Sequence, residues 1–115
     1  MRGFVVAGTP RGLAELEQRF PNIMANYQPT CVEALEADPL GDLVFPGDPF
    51  LQYIEFPVKT LVGEQTFVIL AYEIERRTDM YYLVYPLKVY DQEQFADRAN
   101  VYEEIKRIAS TGSAL

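Results

Sequence analysis

Three extended segments follow one another between residues 51 and 89, separated only by short polar turns, and this run constrains the fold more than any other feature. In residues 51–62, Ile54, Phe56 and Val58 alternate with Tyr53, Glu55 and Lys59, the period of a half-buried strand. Residues 66–75 are apolar on both faces, with Phe67, Ile69 and Ala71 against Val68, Leu70 and Tyr72, the pattern of a central strand. Residues 80–89 set Leu83, Tyr85 and Leu87 against Tyr82 and Val84, and Pro86 near the end of this strand calls for an edge or a bulge there. The connections, Gly63-Glu64 and Arg76-Arg77-Thr78-Asp79, are too short for a crossover, so the three strands form an antiparallel meander.

The remaining segments supply helices and one more strand. Residues 4–8 read as a first strand, and Gly8-Thr9-Pro10 as a helix start, with Thr9 as cap and Pro10 in the first turn. Leu13, Leu16 and Phe20 follow at helical spacing until Pro21. A second helical stretch begins near Asn22, with Met24, Tyr27, Cys31, Ala34 and Leu35 on one face. Pro29 inside it predicts a kink or two shorter pieces, and Asp38-Pro39 closes it. Residues 39–50 are loop by their Pro and Gly content, with Leu43, Val44 and Phe45 expected to pack on the core. Residues 91–109 form a third helix capped by Asp91. Phe95, Ala99, Tyr102, Ile105 and Ala109 make its stripe, and Arg98, Glu103, Glu104 and Arg107 face water. The expected fold is α+β in the order β-α-α-β-β-β-α, an antiparallel sheet packed on a helical hairpin, plus a C-terminal helix. Residues 1–109 make one domain and 110–115 a frayed tail.

Composition narrows the chemistry. With 115 residues, 49% hydrophobic and carrying 8 Tyr and 7 Phe, the chain can build a core, and disorder is excluded as the default. Ten Lys and Arg against 17 Asp and Glu leave a net charge of −7, which disfavours tight non-specific binding to DNA. With no His, the Ser/His and Cys/His nucleophile pairs and His-held metals are excluded. The single Cys31 cannot form an internal disulfide and reads as a small buried hydrophobe. No apolar run approaches the roughly 20 residues that span a bilayer, so no membrane association is expected and the cytoplasm is the default location. No cofactor or metal is expected. Glu73 and Glu75 lack the pattern of a calcium loop, and Gly8-Thr9-Pro10-Arg11-Gly12 lacks the Gly-Lys-Ser/Thr ending of a phosphate loop.

Three strings carry a resemblance to a known family. They are Phe4-Val5-Val6-Ala7-Gly8-Thr9-Pro10-Arg11-Gly12-Leu13, then Ala34-Leu35-Glu36-Ala37-Asp38-Pro39, then Phe67-Val68-Ile69-Leu70-Ala71-Tyr72-Glu73-Ile74. Together with the element order, they resemble the RelE/ParE toxin superfamily of bacterial toxin–antitoxin pairs over roughly residues 4–90. The resemblance implies a toxin-type domain, either a ribosome-dependent mRNA endoribonuclease or a catalytically degenerate relative. It also implies a small antitoxin-like partner, the ribosome and mRNA as targets, and a homodimer as one assembly. By position, Lys88 and Tyr90 on the last strand, with Tyr85 and Lys59 on the sheet, are its catalytic candidates. Lys88 would clamp phosphate or act as a base, and Tyr90 would act as an acid or a stacking platform. The family's strand cations are here mostly apolar or acidic, and Pro86-Leu87-Lys88 stands where a His-Arg is usual.

Two other readings compete. One is an acidic protein-binding module or inhibitor, a nucleic-acid mimic of a phage or mobile element, acting through a Tyr-rich sheet face (Tyr53, Tyr72, Tyr81, Tyr82, Tyr85, Tyr90). The other is a small enzyme or ligand binder with a pocket between the sheet and the third helix. Gathering of Arg2, Arg11, Lys59, Arg76, Arg77 and Lys88 on one face favours the toxin-type reading, and their dispersal favours the acidic module.

Overall fold

A computed structural model describes residues 3–37, 44–45, 48–76 and 81–111. The three predicted strands are present as β3 (Asp48–Lys59), β4 (Gln65–Arg76) and β5 (Tyr81–Tyr90), paired antiparallel in succession. The first strand, β1 (Gly3–Val6), lies parallel to β5, and the two-residue β2 (Val44–Phe45) lies on the outer side of β3. The sheet order is therefore β1-β5-β4-β3-β2, with β4 central as its two apolar faces require. The fold is α+β.

Each face of the sheet carries a core. Leu13, Leu16, Phe20, Ile23, Tyr27, Cys31 and Leu35 from the helical hairpin pack on Phe56, Val58, Val68, Leu70 and Val84. On the opposite face, Phe95, Val101, Ile105 and Ile108 pack on Leu51, Ile69, Ala71, Tyr85 and Leu87. Phe45 joins this second core, stacked on Tyr102 and edge-on to Tyr53 and Phe95, as its apolar neighbourhood in the sequence predicts.

The helices depart from expectation in three places. The first helix, α1, covers only Leu13–Glu17. Thr9-Pro10 does not start it, because residues 7–11 run on beside β5. The Ala7 amide donates to the Val84 carbonyl, the Arg11 amide donates to Leu87, and Val89 donates back to Arg11. Gly12, at φ +92°, then turns the chain into the helix.

The second helical stretch runs as α2 (Ile23–Asn26), a π-helical turn (Tyr27–Val32) that contains Pro29, and α3 (Glu33–Ala37). The wide turn accommodates the proline without ending the helix, and it shifts the buried face. Ile23 and Val32 are buried, whereas Met24 and Ala34 face out.

The third helix is two, α4 (Gln92–Phe95) and α5 (Arg98–Thr111). The break rephases the stripe, so Val101 and Ile108 are buried with Phe95 and Ile105 while Ala99 is exposed. Asp91 caps α4 as predicted, with a full capping box: it accepts from the Gln94 amide, and the Gln94 side chain accepts from the Asp91 amide.

Pro86 marks a bulge, as its position predicts, and not an edge. Tyr72 faces Pro86 while Ala71 faces Lys88, so Leu87 is the extra residue, and β5 is flanked by β1 and β4. Residues 39–50 are not all loop: Val44–Phe45 pair with Gln52 and Asp48, and Asp48–Phe50 open β3. Ser110 and Thr111, expected in the frayed tail, continue α5. The predicted connection at 77–79, residues 38–43 and 46–47, and the tail beyond Thr111 lie outside the described residues.

Candidate functional site

The nominated residues separate into a cluster and two outliers. Lys88 and Tyr90 project from β5 toward α5, where both meet Glu104. The Lys88 ammonium donates to Glu104 Oε1 at 2.9 Å, and the Tyr90 hydroxyl donates to the same oxygen at 2.7 Å. The ammonium also sits 5.1 Å from the centre of the Tyr90 ring. The bulge at Leu87 makes this possible, since strict alternation of Tyr85 and Leu87 would send Lys88 to the other face.

Tyr85, in contrast, is buried beneath α5 as a core residue. Lys59 is exposed at the far end of β3, opposite Gln65. Gln65 lies six positions before Ala71 on β4, and Ala71 pairs with Lys88. At ~3.3 Å per residue the two lysines are about 20 Å apart along the sheet. Neither Tyr85 nor Lys59 belongs to one site with Lys88.

Two clefts flank the Lys88–Glu104 pair. One, of about 250 Å³, is lined by Arg11, Gly12, Glu15, Lys88, Glu104, Arg107 and Ile108. The other, of about 320 Å³, is lined by Lys88, Tyr90, Glu93, Gln94, Asp97, Asn100, Val101 and Glu104. They differ in sign: the first brings three cations to two carboxylates, and the second sets Lys88 against three carboxylates. Arg11 reaches the first cleft because its backbone bridges Lys88 in parallel register. Gly12 permits that approach, as a Cβ there would lie 2.8 Å from the Val89 carbonyl oxygen.

Electrostatics fix the protonation states. Burial pushes the Glu104 carboxyl up, but the hydrogen bonds from Tyr90 and Lys88, with the charges of Lys88 and Arg107, outweigh it and hold the group below the usual carboxylate range. Burial pushes the Tyr90 phenol up, and the hydrogen bond to Glu104 and its charge push the same way. Tyr90 therefore stays protonated and is a hydroxyl donor. It is not a stacking platform: only 3% of it is exposed, and its ring lies against Phe95 and the Lys88 ammonium.

Other sequence candidates fall elsewhere. Of the described tyrosines on strands, Tyr72 is buried on the hairpin side, Tyr85 and Tyr90 on the α5 side, and Tyr53 is half-buried against Phe45 and Phe95. The two helical layers leave these rings no exposed sheet face to share. The side chains of Tyr81 and Tyr82 lie outside the described residues, as do those of Arg2, Arg76 and Arg77. Cys31 is fully buried, and burial pushes its thiol up to about 12, as an inert core residue requires. No group of three or more potential metal-ligating side chains forms among the described residues.

Glu104 and Arg107 are the site residues that sequence reasoning assigned to solvent. A signal existed for Glu104: it lies three residues after Val101 and four before Ile108, at the border of the true apolar stripe. No protein-family model, curated protein or solved structure matches the chain.

Proposed function

We propose that the chain is a toxin-type domain of the RelE/ParE kind, directed at RNA on the ribosome, with Arg11, Lys88 and Arg107 meeting the RNA phosphate. The observation that carries the reading is that Arg11, Lys88 and Arg107 line one cleft, with Glu15 and Glu104 as its carboxylates, in a chain of net charge −7; Lys59, about 20 Å away along the sheet, does not join them. The observed order adds the two-residue β2 and a second C-terminal helix to the β-α-α-β-β-β-α order that carries the resemblance, and in its other elements supports the reading as well. Positive groups that meet in one cleft stabilise charge that builds on a phosphate, the large term in phosphoryl chemistry. Tyr90 adds a hydroxyl held in its protonated form. The reading calls for action in the cytoplasm and a small antitoxin-like protein as partner.

The reading is tested by expression. The isolated chain should arrest bacterial growth with loss of translation, and Lys88→Ala combined with Tyr90→Phe should restore growth while the protein remains folded. Normal growth and translation at full expression would remove this reading.

One observation favours the acidic binding module instead: Glu104 already satisfies both Lys88 and Tyr90. In that reading the cluster braces α5 on the sheet, and the partner is a basic protein held by the acidic surface. Purified chain that leaves translation intact and is retained on a cation-rich protein at low salt, but released by salt, would mark this alternative.

A further inference from the structure

We infer that the Glu104 carboxylate is a built-in competitor for phosphate, holding at Lys88 the position a phosphate oxygen takes when ligand enters the Arg11–Lys88–Arg107 cleft. The inference rests on the reading above for its choice of phosphate as the oxyanion. Its geometric basis is separate.

A single oxygen, Glu104 Oε1, receives two donors at 2.9 and 2.7 Å, one from an ammonium and one from a phenol. These are the lengths of charge-assisted bonds to any oxyanion, so the two donors are already set to converge on one anionic oxygen. The Arg107 charge also acts on Glu104. On the Arg11 side the cleft continues past this pair. Arg11 is exposed and forms no side-chain ion pair with another described residue. Glu15 is the second carboxylate on the lining. The volume of about 250 Å³ leaves room for a phosphate group with water around it, a water's share being about 30 Å³. The Lys88 and Glu104 side chains remain 23% and 33% exposed, so an ion from solvent can reach the pair without unpacking α5.

A structural brace and a competitor respond oppositely to removal of the Glu104 charge. Glu104→Gln keeps an oxygen that can accept from Tyr90 but frees Lys88 for an incoming anion. Phosphate binding is measured by titration calorimetry on the full chain with three probes. These are inorganic phosphate, adenosine monophosphate, and a short uridine oligonucleotide without a terminal phosphate. Glu104→Gln is expected to bind roughly tenfold tighter than the parent chain, and Arg11→Ala at least about fivefold weaker. Stronger binding of the monophosphate assigns a phosphomonoester, and stronger binding of the oligonucleotide assigns the RNA backbone. Either supports the inference. Unchanged or weaker binding by a folded Glu104→Gln chain overturns it, as does failure of all three probes to bind any variant. Growth arrest without phosphate binding overturns this inference and leaves the toxin-type reading standing without its assignment of these three cations to the RNA phosphate. Phosphate binding that follows the predicted order, without arrest, does the reverse.

Discussion

Gly12 decides at a single residue where the first helix begins and whether Arg11 reaches Lys88. Its φ of +92° and the Val89 carbonyl 2.8 Å from a Cβ at that position leave no side chain acceptable there. Gly12→Ala should lower stability by about 1–3 kcal/mol, read as a lower urea midpoint, and should weaken whatever binds in the cleft. Tyr27 presents the opposite case. Its hydroxyl is buried without a hydrogen-bond partner among the described residues, beside Phe56 in the hairpin-side core. Removing it deletes an unmet polar group and leaves the ring in place, so Tyr27→Phe should raise stability by about 1 kcal/mol in the same assay. The same contrast governs what could be read in advance. Lys88 and Tyr90 were legible as a pair because alternate strand residues share a face, and Pro86 marked the bulge. Glu104 was marked only by its place beside the apolar stripe, and Arg107 not at all, because a charge on an exposed helix reads as solvated until its tertiary partner is known.

At the scale of elements, the cap of α4 joins two parts of the chain. Asp91 accepts from the Gln94 amide, and its carboxylate pairs with Arg19 from the turn after α1. Burial pushes the Asp91 carboxyl up, but the Gln94 amide, the Arg19 guanidinium and the Glu93 amide together bring it below the usual value of 3.8. A carboxyl whose folded value is lowered contributes stability that is present above its ordinary value and lost as pH falls through the lowered one. Asp91→Ala should therefore cost about 1–2 kcal/mol at neutral pH. The gap from the parent chain should close as denaturation curves are repeated below the ordinary carboxylate range. A gap that stays constant through strong acid would refute the charge contribution. Asp91 was readable because a cap is a local signal. The break between α4 and α5 was not, since Phe95, Tyr102 and Ile105 also fit one continuous helix. The start of α1 was misread for the same reason: Thr9-Pro10 satisfies the local rule for a helix start, but the hydrogen bonds of residues 7–11 to β5 override it. At Pro29 the sequence marked the disturbance, and only the structure supplied its form, a π-helical turn.

Taken as a whole, the molecule is a sheet between two apolar layers that share no buried side chain among the described residues. Leu35 is fully buried in the hairpin-side core and Ile105 in the α5-side core. Leu35→Ala and Ile105→Ala should each cost about 2–5 kcal/mol, and the double variant should lose nearly their sum, because the two sites lie on opposite faces. Both should unfold in one transition, since β4 and β5 belong to both cores; two separate transitions would show the layers to be independent. The meander and the hairpin over it were legible because strand and helix periods are local. The parallel pairing of β1 with β5 was legible only as a strand added beside the meander. That pairing sets a timetable for synthesis. Gly3 must wait for Tyr81, 78 residues later, before it has a neighbour. At 5–20 residues per second, that is a delay of roughly 4–16 s. Arg11 likewise meets Lys88, Glu104 and Arg107 only after those residues have left the ribosome's exit tunnel, so a nascent chain stalled before them carries no such cleft at all.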